Sequence, residues 1–439
     1  MNYTPAKTLI LFFLGLIAAG TLLLSLPFSR NPHEEFSLAV NLFTAISAVS
    51  ATGLSIVNIA NYFSTFGQII IAFLVQVGAI GYIFVSTVVI LFIGKPALKD
   101  RRIMQDIFDI SSFKGLKKLL YKAVLFVFII EAVGTIILTL SFLKDFPFMT
   151  SLYYGIFHSI SMFCNTGFSL FSSGSFTEFS GNISALYGAM ALVLTGSLGL
   201  FVLVDIYDSY RSKRLHVSTH TKIVLSGTLI IGIVAFLFFF LLSQFGVLKD
   251  TNIFHSFNNS LFQSLASRTS GFISFSDAMF VTVPKSVLLL LMSVGAAPGS
   301  PVGSLNFVTI ALVFVFIKSG FKSDDSHVLF KRTIPVDLIN KALCIFVIYI
   351  MLQVIFCVAL VLCEPAKNAL DVIFEAVSAF STAGISTGTT QNLTLSGKIT
   401  VMFAMFFGRI GILTLLLFML NTTGRKKGVQ YPEARVMVG

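Results

Sequence analysis

The chain has 439 residues, of which 56% are hydrophobic and 11% charged, and its formal net charge is +11. Soluble globular chains carry about 25% charged residues, so this composition excludes a soluble enzyme or binding domain and indicates an integral membrane protein. No metal-binding spacing, P-loop or dinucleotide-binding motif is found, and the four cysteines form no C-x-x-C pair. We therefore expect neither enzyme activity nor an organic cofactor.

Eight apolar runs are long enough to cross a membrane, since a hydrocarbon core of about 30 Å requires roughly 20 apolar residues. The first run lacks an A-x-A cleavage pattern and is followed by further runs, which favours a spanning helix over a signal peptide. The predicted spans lie at 8–27, 65–94, 122–143, 183–206, 221–246, 283–318, 341–363 and 398–421.

Lysine and arginine are concentrated in alternate loops. The basic segments are 95–122, 207–222, 318–341 and the C-terminal tail, whereas the other loops hold few basic residues. By the positive-inside rule this bias places both termini in the cytoplasm. We expect a multi-pass protein of the plasma (inner) membrane that contacts lipid and binds no nucleic acid.

A short segment rich in small residues follows each odd-numbered span. The segments are NLFTAISAVSATGLSIVN (41–58), YGIFHSISMFCNTGFSLF (154–171), NSLFQSLASRTSGFISF (259–275) and DVIFEAVSAFSTAGISTG (371–388). In each, a Phe precedes a Gly by nine or ten residues. The phenylalanines are Phe43, Phe157, Phe262 and Phe374, and the glycines, 114, 104 and 113 residues apart, are Gly53, Gly167, Gly271 and Gly384.

The repetition predicts an all-α integral membrane protein of four covalently linked membrane–pore–membrane units. Each unit has two spanning helices and one short pore helix, with a pseudo-fourfold pore between the units. Irregular chain at membrane depth is tolerated only where it is buried or lines water, and four copies indicate a shared axis. The predicted repeats are 1–100, 101–212, 213–325 and 326–439.

The four Gly-containing loops predict a cation site. A helix C-terminus carries about half a negative charge, and extended loops can offer carbonyl oxygens in place of a cation's water shell. Glycine admits backbone angles that other residues resist. The predicted selectivity filter consists of Ala51, Thr52, Gly53, Asn165, Thr166, Gly167, Thr269, Ser270, Gly271, Thr382, Ala383 and Gly384.

Four such units with one glycine per filter loop resemble the superfamily of K⁺ transporters that contains TrkH and KtrB. TrkH-like members have an additional N-terminal pair of spans, so this sequence is more similar to KtrB, the membrane subunit of Ktr K⁺ uptake systems. The resemblance implies K⁺ uptake, with K⁺ bound at backbone carbonyls of the filter residues. It also implies a homodimer and a cytoplasmic partner, a nucleotide-binding regulatory ring of RCK (KtrA-like) subunits. The basic loops 95–122 and 318–341 are the candidate contact surfaces, and they also suit lipid headgroups.

Three further segments carry the resemblance. RTSGF at 268–272 is similar to the third filter of the family, and VGAAPGSPVGSLN at 294–306 is similar to its intramembrane gate loop. GRIGILTLLL at 408–417 is similar to the last span, whose arginine faces the pore below the filter. The gate residues implied are Gly295, Ala296, Ala297, Pro298, Gly299, Ser300, Gly303, Ser304, Asn306 and Arg409.

The sequence departs from the family in two places. The gate loop has Pro301 where threonine is usual and Asn306 where lysine is usual, which predicts a stiffer and less basic loop. None of the filters has the longer T-V-G-Y-G of K⁺ channels, which predicts weaker discrimination between cations. A Na⁺-preferring or Na⁺-coupled transporter is therefore an alternative. A secondary transporter of a small organic solute, built on inverted repeats, is a more distant one.

Several polar residues are expected to be structural. The position after each repeated phenylalanine is predicted to anchor its pore helix: Thr44, His158, Gln263 and Glu375. Arg268 is expected to turn behind the third filter, with Glu375 as a candidate partner, and Glu131 is expected to join helices or pair with a cation. Asp205 and Asp208 are expected to be solvated at the cytoplasmic edge.

Overall fold

The computed structural model describes residues 5–92, 113–171, 173–212, 217–245, 252–275, 282–295, 297–300, 302–322 and 327–411. In these ranges the chain is almost wholly helical, as predicted. The first helix of each repeat is long and apolar: α1 (Pro5–Leu24), α5 (Phe113–Phe142), α9 (Thr219–Gln244) and α13 (Val336–Cys363). The pore helices are α2 (Leu38–Val49), α6 (Phe148–Phe163), α10 (Ile253–Thr269) and α14 (Ala369–Phe380).

The second helix differs in form from repeat to repeat. It is α4 (Thr65–Phe92) in the first, α7 and α8 (Ile183–Leu198, Leu200–Arg211) in the second, α11 and α12 (Thr282–Ser293, Phe307–Lys322) in the third, and α15 (Leu395–Ile410) in the fourth. One short helix, α3 (Ile59–Tyr62), and 3₁₀ turns at Pro27–Ser29, Thr177–Phe179 and Thr389–Asn392 lie in the connections.

Eight uninterrupted spans are too simple a description. Among the described residues, four helices are long and apolar enough to cross a membrane, and they are the first helices of the four repeats. A fifth crossing is counted if α7 and α8 form one span, although they are bent by 94°. The third repeat's second span is broken, as predicted, and the predicted continuation of the fourth beyond Gly411 lies outside the described residues.

The pore helices begin at local capping signals and are too short to span the bilayer. The side chains of Ser37, Asn252 and Asn368 accept hydrogen bonds from the first-turn amides of their helices, and Pro147 precedes the remaining one. At 12 to 17 residues, these helices extend about 18 to 26 Å, less than the ~30 Å of hydrocarbon. Each therefore ends inside the protein.

A two-stranded hairpin interrupts the all-helical pattern. Strand β1 (Val328–Leu329) pairs antiparallel with β2 (Arg332–Thr333), within the basic loop 318–341. The two turn residues, Phe330 and Lys331, have φ of 47° and 61°. Positive φ at both central residues is the geometry of a type I′ turn, which usually contains Asn or Gly. The sequence offered no such signal, so the hairpin was not predicted.

Candidate functional site: four glycine turns and the loop beneath them

The four repeated glycines share one backbone conformation. Gly53, Gly167, Gly271 and Gly384 have φ of 86°, 87°, 72° and 79°. This left-handed region favours glycine because a Cβ would contact the neighbouring carbonyl oxygen. The requirement inferred from the sequence for glycine at these positions therefore has a backbone cause.

The same glycines approach one another in chain order. A Cβ built on each would meet the carbonyl oxygen of the residue before the glycine of the next repeat. The contacts are Gly53 with Thr166 at 1.7 Å, Gly167 with Ser270 at 2.6 Å, Gly271 with Ala383 at 3.0 Å, and Gly384 with Thr52 at 1.9 Å. Because the last contact returns to the first repeat, the turns form a closed ring. Side chains at the glycine positions would displace its carbonyls.

Three of the four pore helices end in the same hydrogen-bonded motif. In the first, the Thr52 amide donates to the Ser47 carbonyl at 2.9 Å, and the Ala51 amide donates to the Ala48 carbonyl at 3.1 Å. The second and fourth repeats have the equivalent bonds, Thr166–Ser161, Asn165–Met162, Ala383–Ser378 and Thr382–Ala379. This is a Schellman motif, which requires positive φ at its left-handed residue. That residue is Ala51, Asn165 or Thr382, with φ of 53–54°.

The third pore helix ends differently. Its helix α10 continues to Thr269, two residues before Gly271, whereas the other three end four residues before their glycines. Thr269 is consequently helical, and its hydroxyl donates to the side-chain oxygen of Asn165 at 2.9 Å. The filter triplets predicted as equivalent are thus equivalent in three repeats and modified in the third.

The predicted gate loop lies beside the inner end of this ring. The Gly303 amide donates to the Thr382 hydroxyl at 2.7 Å, and the Ala297 amide donates to the Ser197 carbonyl of α7 at 3.1 Å. A Cβ on Gly303 would lie 2.7 Å from the Gly408 carbonyl oxygen of α15. The loop of the third repeat therefore reaches both the second and the fourth repeats.

The loop is closed at its base. The Gly295 amide donates to the Leu305 carbonyl at 3.0 Å, and the Leu305 amide donates to the Ser293 carbonyl at 3.2 Å. A Cβ on Gly295 would lie 1.3 Å from the Ser304 hydroxyl, so a larger residue there would have to displace the Ser304 side chain. Gly299 has φ of 82°, and its Cβ position faces the Phe201 ring at 2.7 Å.

The remaining predicted gate residues lie around this base. Pro298 and Ser300 form the turn in which the Ser300 amide donates to the Ala297 carbonyl, and the Asn306 carbonyl accepts the Ile310 amide of α12. Ala296 and Pro301 lie outside the described residues.

Arg409 lies partly buried at the end of α15, and its guanidinium binds main-chain oxygens of the first repeat. It donates to the carbonyls of Gly78 and of Ala79, the latter at 2.9 Å. It also lies 5.9 Å from the centre of the Phe13 ring. The charge is therefore fixed between the fourth and first repeats at the level where the gate loop meets α15.

Two predicted pairings of buried charges are resolved by the contacts. Arg268 is 1% exposed, and its guanidinium lies 5.5 Å from the centre of the Phe307 ring. No guanidinium nitrogen has a hydrogen-bond partner among the described residues. The suggested pair with Glu375 is wrong, because that carboxylate is occupied by hydroxyls and an amide of its own loop. Glu131 joins helices, accepting from the Gln76 amide at 2.8 Å.

Asp205 and Asp208 are not merely solvated. Asp208 pairs with Lys122 of α5, and Asp205 accepts from Ser218 at the start of α9. These contacts hold the bent segment α8 between its two neighbouring helices.

A Gly-x-x-Gly motif in the second helices was missed by the sequence reasoning. Its first glycine packs against the last carbonyl of the pore helix: a Cβ on Gly78, Gly196 or Gly408 would lie 2.3, 1.9 or 2.0 Å from the oxygen of Val49, Phe163 or Phe380. The second glycine has φ of 79° in two repeats, at Gly199, where α7 ends and α8 begins, and at Gly411, the last described residue of the fourth repeat. The recurrence of GAIG, GSLG and GRIG after three of the four predicted filters was a signal that could have revealed it.

This combination of apolar spans, four half-length helices and a closed ring of glycine turns is typical of a multi-pass membrane transporter of the pore-loop type. Comparison with known proteins gives the family. The family model described as "TrkH: Cation transport protein" matches residues 4–426, and the chain belongs to that family.

Relatives cover the whole length. The chain is 31% identical to the "Ktr system potassium uptake protein B" of Bacillus subtilis, covering 100% of this chain and 98% of that protein. It is 30% identical to the protein of the same name from Vibrio alginolyticus (99% and 94%) and 29% identical to the "Potassium/sodium uptake protein NtpJ" of Enterococcus hirae (99% and 97%).

A solved structure has the same fold. The potassium transporter TrkH from Vibrio parahaemolyticus aligns with a TM-score of 0.73 at 18% identity, over 95% of this chain and 85% of that one. The predictions of fold, of family and of a transporter rather than an enzyme are confirmed. Membership of a cation transport family also argues against the organic-solute alternative.

Proposed function

We propose that this protein takes up K⁺ across the plasma membrane through the ring of glycine turns. The observation that carries the proposal is the closed contact of each filter glycine with the carbonyl oxygen before the next. Carbonyl oxygens arranged around one axis can replace the hydration shell of a monovalent cation. The names of the Bacillus and Vibrio relatives, which refer to potassium uptake, support K⁺ as the ion.

The pore helices favour a cation electrostatically. Each ends next to the ring, so that the negative ends of four helix dipoles point towards the ion. We assign the filter to Ala51–Gly53, Asn165–Gly167, Thr269–Gly271 and Thr382–Gly384. The ring contains few stacked carbonyl layers, which favours moderate rather than high selectivity.

The loop 294–306 acts as the gate in this proposal. Its contacts with Ser197, Thr382 and Gly408 support a position across the path below the ring. Arg409 supplies a fixed positive charge near the same level, which a cation must pass. Opening requires the loop to release the Thr382 hydroxyl.

The trigger for opening is assigned to a cytoplasmic regulatory ring of nucleotide-binding subunits, with the membrane subunit as a homodimer whose termini lie in the cytoplasm. The names of the relatives, which refer to a Ktr system, support a partner subunit.

A Na⁺-linked or Na⁺-conducting transporter is the second candidate. The name of the Enterococcus relative includes sodium, and the short filter favours it physically. The two candidates differ in which ion moves and in whether the second ion alters the flux.

The test is uptake by the purified full-length protein in liposomes, with K⁺ and Na⁺ supplied separately and together, with and without a Ktr regulatory subunit. K⁺ uptake that Na⁺ neither replaces nor accelerates is the expected result. Equal uptake of both ions, or K⁺ uptake that requires Na⁺, supports the second candidate. The variants Gly53→Ser, Gly167→Ser, Gly271→Ser and Gly384→Ser are expected to lower K⁺ affinity or selectivity. If all four behave as the parent chain, the filter assignment is wrong.

A further inference from the structure

One position in each pore helix lies behind the filter and is not used by the ring itself. It is the residue after the repeated phenylalanine: Thr44, His158, Gln263 and Glu375. All four side chains are 0% exposed. Four different chemical types at equivalent buried positions would be unusual if the site were simple apolar packing.

In three repeats this side chain binds the same main-chain group. Glu375 accepts the amide of Thr387 at 2.8 Å, Gln263 accepts the amide of Ser274 at 3.2 Å, and His158 accepts the amide of Leu170 at 3.3 Å. Each of these amides belongs to the third residue after the filter glycine. The bond therefore connects the pore helix to the strand that leaves the outer end of the filter.

The histidine tautomer agrees with this role. Its Nδ1 lies 2.8 Å from the Tyr154 carbonyl, which can only accept. The proton therefore resides on Nδ1, and Nε2 presents a lone pair to the Leu170 amide. Ser169 contributes a further hydroxyl contact to Nε2 at 3.3 Å.

The side chain at this position makes the most hydrogen bonds in the fourth repeat, and it makes none among the described residues in the first. The Glu375 carboxylate also accepts the hydroxyls of Ser386 and Thr387, at 2.8 and 3.0 Å, and that of Thr390. In the first repeat, the Thr44 hydroxyl has no partner among the described residues. Threonine is shorter than the other three, and Ser55 closes a local turn with Val57 instead.

We propose that Glu375, His158 and Gln263 are positioning residues for cation selectivity, each holding the outer strand of its filter at a fixed distance from the pore helix. This rests on the proposed filter. A filter discriminates ions by the spacing and stiffness of its carbonyls, so a strand free to move outwards would accept a wider range of cations. In the first repeat, no hydrogen bond of the Thr44 hydroxyl to a described residue holds the outer strand of the filter.

The hydrogen-bond pattern ranks the positions. Glu375 accepts one amide and three hydroxyls, whereas Gln263 accepts one amide and His158 one amide with a further Ser169 contact. The ratio of K⁺ to Na⁺ uptake should therefore be most sensitive at Glu375, less so at His158 and Gln263, and insensitive at Thr44.

The experiment measures K⁺ and Na⁺ uptake by the full-length protein in liposomes for Glu375→Leu, Glu375→Gln, Gln263→Leu and Thr44→Val. Glu375→Leu should lower the K⁺/Na⁺ ratio by about tenfold, equivalent to about 1.4 kcal/mol. Gln263→Leu should lower it by about threefold, as expected when one neutral hydrogen bond is lost. Thr44→Val is the matched control, because it removes a buried hydroxyl that ties nothing, and the ratio should stay within about twofold.

Glu375→Gln distinguishes the effect of the hydrogen bond from the Thr387 amide from the effect of a carboxylate charge. The amide oxygen can still accept the Thr387 amide, so this variant should restore most of the ratio lost in Glu375→Leu. An equal loss in the Gln and Leu variants would overturn the proposal in favour of a purely electrostatic role. A loss in Thr44→Val as large as in Gln263→Leu would overturn it in favour of general packing.

The outcome is separable from that of the proposed function. If the filter glycine variants change the ratio and neither Glu375→Leu nor Gln263→Leu does, the positioning role fails and the filter stands. If neither set changes it, the filter itself is wrongly assigned. Should Glu375→Leu fail to accumulate in the membrane, Gln263→Leu against Thr44→Val decides the question alone.

Discussion

The second and third repeats occupy neighbouring quarters of the same ring but are built differently. In the second, the pore helix ends in a Schellman motif at Asn165, and its second helix turns by 94° at Gly199. In the third, the pore helix continues to Thr269 without that motif, and its second helix is interrupted by the loop 294–306. The repeat that contains the proposed gate loop is thus also the one with the modified pore helix.

The difference shows that repeats related by pseudo-symmetry can differ in local structure, here in the end of the pore helix and in the loop 294–306. In each of the three repeats with a Schellman motif, a non-glycine residue with positive φ lies two positions before the repeated glycine. The third turn is instead linked sideways, by the hydroxyl of Thr269 to Asn165. We conclude that the ring is kept regular by its glycines, while the surroundings of each turn are free to differ.

The largest expected effect tests how tightly the ring is packed. Gly53→Ala should reduce K⁺ uptake by about 100-fold, because the new Cβ overlaps a carbonyl and the positive φ adds strain, together about 3 kcal/mol. Gly271→Ala should reduce it by about fivefold, since strain of about 1 kcal/mol dominates there. The contrast follows from Cβ contacts at 1.7 Å and 3.0 Å.

Uptake in a K⁺-deficient strain, normalised to the protein present in the membrane, measures both variants. Equal losses would show that the Gly271 turn is packed as tightly as the Gly53 turn, contrary to the difference expected between the two repeats.

A smaller effect concerns the link between the gate loop and the fourth filter. Thr382→Val keeps the β-branched shape but removes the acceptor of the Gly303 amide. Losing one hydrogen bond of about 1 kcal/mol should raise ion flux without the regulatory subunit by about fivefold. Flux through purified protein in liposomes is the measurement.

Replacing residues 297–304 by a short glycine linker is the positive control, and it should raise the partner-independent flux further. If this replacement leaves the dependence on the regulatory subunit unchanged, the loop is not the gate. If only Thr382→Val has no effect, the loop is held by its other contacts.

The smallest effect concerns the bend in the second repeat. Gly199→Ala should lower the free energy of unfolding of the purified protein by about 1–2 kcal/mol, because a φ of 79° is unfavourable for alanine. Gly81→Ala is the matched control: it lies at the equivalent position of the motif but inside the continuous helix α4, where alanine is favoured over glycine by about 1 kcal/mol. A Cβ there would meet the Phe12 ring at 3.2 Å, so we expect little net change.

Thermal unfolding followed by size-exclusion chromatography distinguishes the two glycine variants. Similar melting temperatures would indicate that α7 and α8 can straighten into one helix at little cost. That result would contradict the expectation that the bend at Gly199 requires glycine.

Much of the site was readable from the sequence because repetition compensates for weak local signals. A single Thr-Gly step such as that at Gly53 predicts only a turn, but four in register predict a common site. The position after the repeated phenylalanine was recognised in the same way, although its partner amides were not. The bend at Gly199 was missed because an apolar run has no local signal for its direction after a glycine.

What the sequence by itself determined is the architecture: the apolar runs, the four copies, the glycine positions and the break in the third repeat all follow from composition and spacing. Only the tertiary structure decided which groups meet. The amide of Gly303 reaches Thr382, the guanidinium of Arg409 reaches Gly78, and Arg268 and Glu375 remain apart. Contacts between repeats depend on helix packing and on backbone conformation at single glycines, and neither leaves a pattern in the order of the residues.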